Sequence, residues 1–120
     1  MAQHNNTGSQ GEDRAAQYLM DKGYQIVARN WHNRGRKEID IVAIDGGTLV
    51  FVEVKTRAAN SLTSPFQAIT WQKMHRLTLA ADSFIRTNHI NMNARFDVIG
   101  ITGTEIEHIE NAFTPSATFY

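Results

Sequence analysis

Two glycines, Gly46 and Gly47, separate two alternating, β-branched runs at residues 38–45 and 48–55. A two-residue Gly-Gly loop is a strong hairpin signal, because glycine takes the positive φ angles that tight turns need. Such a loop also fixes the register. Asp45 faces Thr48, Ile44 faces Leu49, and the count carried on sets Asp40 opposite Glu53 and Glu38 opposite Lys55. Opposed Cβ atoms lie about 4.5–5.5 Å apart. A three-residue loop would instead set Asp40 beside Val54.

Two carboxylates held at about 5 Å repel each other by roughly 3 kcal/mol at an effective dielectric near 20. A divalent cation reverses the sign of that contact, since Mg²⁺ is typically held by one or two carboxylates with sites left for water and phosphate oxygens. Lys55 follows Glu53 by two residues and so shares its face of the strand. Asp40, Glu53 and Lys55 therefore form a candidate metal-and-phosphate site. The competing reading is that these charges sit at strand ends and point into water.

The remaining segments give an order of helix, three strands, helix, two strands. Ser9 and Glu12 have the spacing of a capping box ahead of Ala15, Ala16 and Leu19, and Gly23 is a natural stop. Residues 24–31 alternate like a strand, and a turn at Asn33 and Gly35 leads into the hairpin. Residues 56–64 read as a polar loop. Ser64-Pro65 reads as an N-cap with proline at the first helical position, opening a helix over 65–86. Its apolar stripe is Phe66, Ile69, Met74, Leu77, Ala81 and Phe84. Strands are expected over 96–101 and 105–109. The fold class is thus α/β, a mixed central sheet flanked by helices in the order αβββαββ, with the long helix crossing between the third and fourth strands. One domain over 9–110 is expected between an N-terminal segment, 1–8, and a tail, 111–120, that has no clear period.

Composition bears on function mainly by exclusion. There is no cysteine among the 120 residues, which removes disulfides, zinc-thiolate sites and thiol catalysis. No apolar stretch approaches the length of a membrane helix, and residues 1–8 lack a signal-peptide core, so a cytoplasmic protein without membrane contact is expected. Net charge is zero but unevenly placed. All twelve Lys and Arg precede residue 96 beside eight acids, giving +4 there and −4 over 96–120. Arg29, Arg34, Arg36 and Lys37 cluster just before the acidic strand, as a phosphate-binding patch or a solvated loop.

Glu38-Ile39-Asp40 followed by Glu53-Val54-Lys55 resembles the PD-(D/E)xK nuclease signature. More closely, the chain resembles the YraN family of uncharacterised bacterial proteins, which are similar to archaeal Holliday-junction resolvases. The supporting stretches include Gly11-Glu12, Gly23-Tyr24, Arg29-Asn30, Val50 to Arg57, Lys73, Arg76-Leu77 and Arg95 to Val98. Glycine often precedes the Glu-Ile-Asp string in this family, whereas Arg36 and Lys37 intervene here. The resemblance implies a restriction-endonuclease-like core and a Mg²⁺ or Mn²⁺ ion held by Asp40, Glu53 and the Val54 main-chain carbonyl. It also implies that Lys55 orients or deprotonates the attacking water, that Glu12 completes the site, and that Gln67 and Lys73 are accessory polar residues.

The expected activity is phosphodiester hydrolysis in DNA, double-stranded or branched, with Arg34, Arg36, Lys37, Arg57, Lys73 and Arg76 as candidate phosphate contacts. Related junction nucleases act as dimers, which makes a homodimer compatible with the resemblance. The alternatives are a non-catalytic nucleic-acid-binding module of the same fold and an interaction protein in which the acidic pair is incidental. Glu12 has the rival role of closing the capping box. Asp97 is expected to neutralise Arg95, and the five histidines, without ligand spacing, are expected at the surface or in the core.

Overall fold

Strand β2 (Arg36–Asp45) turns at Gly46-Gly47 into β3 (Thr48–Arg57), and the two pair antiparallel from Asp45↔Thr48 to Ile41↔Val52. This is the register that a two-residue loop dictates. Gly46 supplies the positive φ, 60°. The computed structural model describes residues 7–59 and 69–115.

Helix α1 (Thr7–Asp21) precedes β1 (Gln25–Asn33), which pairs antiparallel with β2. Helix α2 (Trp71–Thr87) crosses from β3 to the parallel strand β4 (Asn93–Thr102), and β5 (Glu105–Phe113) returns antiparallel. The result is a five-stranded mixed sheet, in sequence order β1 to β5, with the predicted αβββαββ arrangement.

The sheet is buried on both faces. Ala15, Ala16 and Leu19 of α1 pack on Ile41, Ala43, Val50, Val52, Ile99 and Ile101. Leu77, Ala80, Ala81 and Phe84 of α2 pack with Ile39, Val42, Leu49, Phe51 and Phe96 on the other cluster. Alternating side chains of β2 and β3 thus feed opposite cores, which is why these strands read as near-continuous apolar runs. Gly11 brings α1 close to β3. A Cβ built there would lie 2.3 Å from Thr56 Oγ1.

Several boundaries differ from the sequence reading. Helix α1 starts at Thr7, so Ser9 lies within its first turn and is no N-cap. Helix α2 starts at Trp71, not residue 65, because Thr70 caps it by accepting from the Lys73 N–H at 3.1 Å. Ser64, Pro65, Phe66 and Gln67 lie outside the described residues. Strand β3 continues through Thr56 and Arg57, where a loop was expected, because the whole of it pairs with β4 out to Arg57↔Thr102. Strand β5 runs on to Phe113, whose ring stacks on Phe96 at 4.7 Å.

Candidate functional site

The β2–β3 ladder stops at Ile41↔Val52, one pair short of Asp40 and Glu53. There the Val54 N–H donates instead to Asp40 Oδ2 at 2.8 Å. The strand period breaks at the same point. Ile39 packs in the α2-side core and Ile41 in the α1-side core, although strict alternation would put both on one face. This irregularity turns Asp40 towards α1 and fixes one of its oxygens on a main-chain amide.

A second irregularity recruits a cation. Lysine and aspartate three residues apart on a regular strand face opposite ways. The β1–β2 register shifts between Trp31/His32, whose partners Ile39 and Lys37 leave Glu38 unopposed. That extra residue brings Lys37 round to Asp40. Lys37 Nζ lies 2.9 Å from Asp40 Oδ1 and also donates to Glu12 Oε2 on α1. The turn before it places Arg34 (φ 58°) and Gly35 (φ 77°) in the left-handed region, as a tight hairpin demands.

Glu53 lies on the α2 side of β3. Lys55 Nζ approaches its Oε2 at 3.8 Å, and Lys73 Nζ, from the first turn of α2, at 3.7 Å. The three acids are buried: Glu12 is 8 % exposed, Asp40 9 % and Glu53 5 %. Desolvation, followed by the nearby charge of Asp40, raises the Glu53 pKa to about 7 against the pull of Lys73 and Lys55. Burial also raises Glu12, opposed by Lys37. For Lys37 burial works against the charge, but Glu12 and Asp40 outweigh it and hold its pKa above the usual lysine range. The site is therefore a buried acidic core ringed by three ammonium groups, which do not offset the desolvation of Glu53 and the charge of Asp40 beside it.

The expected phosphate contacts divide. Lys37 and Lys73 turn inward to the carboxylates. Arg34 is exposed in its turn. Arg36 and Arg76 line a groove of about 250 Å³ with Glu38, which reaches Arg36 at 3.9 Å and is not part of a pair with Lys55 in the ladder. Arg57, with Arg14, Gly11 and Thr56, lines a cavity of about 330 Å³ at the end of β3. Arg29 is engaged with Asp13 at 2.6 Å. Among the described residues no three acids or histidines are gathered as a ready metal cluster. The bridge from Lys37 to Glu12 and Asp40 occupies the space between two of the candidate ligands.

The inward role of Lys37 escaped the sequence reading, since only the extra residue Glu38 makes the spacing productive. Most of a second buried cluster, around Asp97, escaped it too. Asp97 accepts from Arg95 Nε at 3.0 Å, from the Asn111 N–H at 3.0 Å and from His108 Nε2 at 2.8 Å. His108 Nδ1 lies 2.9 Å from Lys22 Nζ. Lysine has only hydrogens to offer, so Nδ1 accepts and Nε2 carries the proton donated to Asp97. The expected partnership of Asp97 with Arg95 is present. Trp31 is half-buried against Phe84, whereas Trp71 is 53 % exposed and stacks on His75.

A mixed sheet between two helices, with an acidic pair where β2 and β3 part, defines an α/β protein whose arrangement is compatible with a restriction-endonuclease-like core. Residues 11–101 match the uncharacterised protein family UPF0102. A UPF0102 protein of Phocaeicola vulgatus is 44 % identical over 119 residues, covering 96 % of this chain and 98 % of that one. UPF0102 proteins of Parabacteroides distasonis and Nitratidesulfovibrio vulgaris are 40 % and 45 % identical over 117 residues, covering 94 % and 93 % of this chain and 96 % and 87 % of theirs. The chain belongs to this family, the YraN family. No helix among the described residues is long and apolar enough to cross a membrane.

Proposed function

We propose that this protein is a metal-dependent nuclease that hydrolyses phosphodiester bonds in DNA. The observation that carries the reading is that buried Asp40 and Glu53 interact where the β2–β3 ladder opens, with Lys55 and Lys73 on Glu53. The donor chemistry fits Mg²⁺ or Mn²⁺: hard carboxylate oxygens, without sulfur ligands, in a site where burial and then the Asp40 charge raise the Glu53 pKa to about 7. Asp40 and Glu53 would hold the ion, with the Val54 carbonyl and Glu12 as further oxygen donors.

Bound Mg²⁺ or Mn²⁺ supplies polarisation of a phosphate oxygen and a lowered pKa for water. The chain's own groups do the rest. The Val54 N–H fixes the rotamer of Asp40 through Oδ2, so that Oδ1 faces the Lys37 ammonium. Lys73 and Lys55 favour the ionised form of Glu53, the form that binds a cation. Lys55, at the site's edge, holds a water or phosphate oxygen in line for attack. Arg34, Arg36, Arg57 and Arg76 serve as phosphate contacts, which position a duplex without reading its sequence.

The test is nicking and linear-cleavage assays on duplex, flapped and four-way-junction DNA, with and without Mg²⁺ or Mn²⁺. Metal-dependent cleavage lost in Asp40→Asn and Lys55→Ala supports the reading. Cleavage unaffected by both substitutions contradicts it. The second reading, a module that binds nucleic acid without cutting it, draws on Lys37, whose engagement of Glu12 and Asp40 is also what a site with no metal would display. DNA binding by the pure protein with no cleavage in either metal would favour that reading.

A further inference from the structure

Lys37 sits at the centre of the acidic site although nothing in its local spacing sends it there. Its ammonium touches Glu12 on α1 and Asp40 on β2, standing between two acids whose charges repel each other. The extra residue at Glu38 is what turns it inward. We propose that Lys37 is a resident cation: it holds Glu12 and Asp40 in place while the site lacks a divalent ion, and it gives up that position when one binds. The inference rests on the metal-dependent reading above and makes Lys37 a positioning residue with a competing charge.

Three observations support it. The ammonium satisfies oxygens on two of the residues that would ligate the ion, so lysine and ion cannot both have them. The charge count favours exchange. Glu12, Asp40 and Glu53 balance Lys37, Lys55 and Lys73 three against three, so a divalent ion added to the intact cluster leaves +2, and one that expels Lys37 leaves +1. The side chain can also leave cheaply. It is 39 % exposed, against 11 % and 12 % for its partners, so its stem swings into solvent without opening either core. Once outside, it lies next to Arg34 and Arg36 in the turn, where its charge meets an approaching phosphate.

Calorimetric titration with Mn²⁺ alone, on the full chain, tests the exchange in wild type, Lys37→Met and Lys37→Arg. Lys37→Met is expected to bind Mn²⁺ about tenfold more tightly, because no resident charge has to be displaced. Lys37→Arg, which keeps the charge, should stay within about twofold of wild type. Thermal melts should show Lys37→Met less stable than wild type without metal, with the gap closed by saturating Mn²⁺. A purely structural ion pair would leave that gap open, and equal or weaker Mn²⁺ affinity in Lys37→Met would overturn the proposal.

If Lys37→Met does not fold without metal, folding on addition of Mn²⁺ supports the exchange and failure to fold even then overturns it. The unaltered protein gives a second readout. The Lys37 side-chain ¹⁵N resonance should move with the same Mg²⁺ dependence as the Asp40 amide, and a static Lys37 signal beside a moving Asp40 would overturn the exchange. Metal binding of equal strength in all three chains defeats the displacement alone. No metal response in any of them defeats the metal-dependent reading itself.

Discussion

The protein buries two clusters of charge, and they differ in how well each acid is satisfied. Asp97 lies between β4 and β5 with its carboxylate taken by His108, Arg95 and the Asn111 amide. Burial alone would raise its pKa, but these partners outweigh it and hold Asp97 below the usual aspartate range. Around it, burial pushes Tyr24 up to about 12, and Arg95 is held firmly charged. Glu53 is as deeply buried, and that desolvation, with Asp40 beside it, outweighs lysines standing at 3.7–3.8 Å, so its pKa rises to about 7. One cluster is closed, whereas in the other the lysines stand too far from Glu53 to offset its burial. A buried acid fully satisfied by its neighbours belongs to the architecture, whereas one left short of compensation beside a second acid marks a place for a ligand.

The comparison can be broken most sharply by activity. Asp40→Asn and Lys55→Ala are each expected to lower metal-dependent DNA cleavage by at least about 10³-fold, a loss of roughly 4 kcal/mol in the transition state. Melting temperatures should change little. Cleavage within tenfold of wild type in either variant would remove the open cluster from the chemistry.

Next in size is the closed cluster. Asp97→Ala leaves Arg95 and His108 without their buried partner and should cost about 3 kcal/mol of stability in urea unfolding. Per folded molecule, activity should persist. A cost below about 1 kcal/mol would mean the network is not the structural clamp described here.

The sign of the pH dependence separates the two clusters further. An acid whose folded pKa is raised binds more protons folded than unfolded. The cost of Glu53 is therefore absent below about pH 4.5, grows as pH rises towards 7 and is complete above it. Metal-free Glu53→Gln should be more stable than wild type by about 2 kcal/mol at pH 8, with the advantage fading towards pH 4.5. Asp97 has the opposite sign: its contribution is full above the unfolded aspartate pKa and falls away as pH drops through its lowered folded value. Parallel pH–stability curves for Glu53→Gln and wild type would contradict this assignment.

The smallest effect concerns the approach of α1 to the open cluster. Gly11→Ala places a methyl 2.3 Å from Thr56 Oγ1, on a strand that cannot easily yield, and should destabilise by about 1 kcal/mol after the helix-propensity gain. Because Glu12 is the next residue, metal affinity should fall with it. A stabilised variant would show that the helix has room to move.

Much of this was legible in the chain. The hairpin register follows from two glycines and period-2 alternation, both local signals, and it led directly to Asp40 and Glu53. The element order and the parallel β3–β4 crossover followed from the spacing of apolar residues. What the sequence hid depends on irregularities and distant pairs. The extra residue at Glu38 reverses the side on which Lys37 falls, and no residue type announces it. The Asp97 cluster joins Tyr24 and Lys22 to β4 and β5 across as many as 86 positions, so beyond the Arg95–Asp97 pair its members could not be seen in a window of sequence. Pro65 is a strong start signal in the sequence, yet helix α2 begins at Trp71, capped by the Thr70 side chain.

The most direct test of the contrast is substoichiometric Mn²⁺ added to ¹⁵N-labelled protein, read as paramagnetic broadening of backbone amides. The account predicts selective, saturable loss of the Asp40, Glu53 and Val54 signals while Asp97, His108 and Asn111 stay sharp. Uniform broadening, or broadening centred on Asp97, would contradict it.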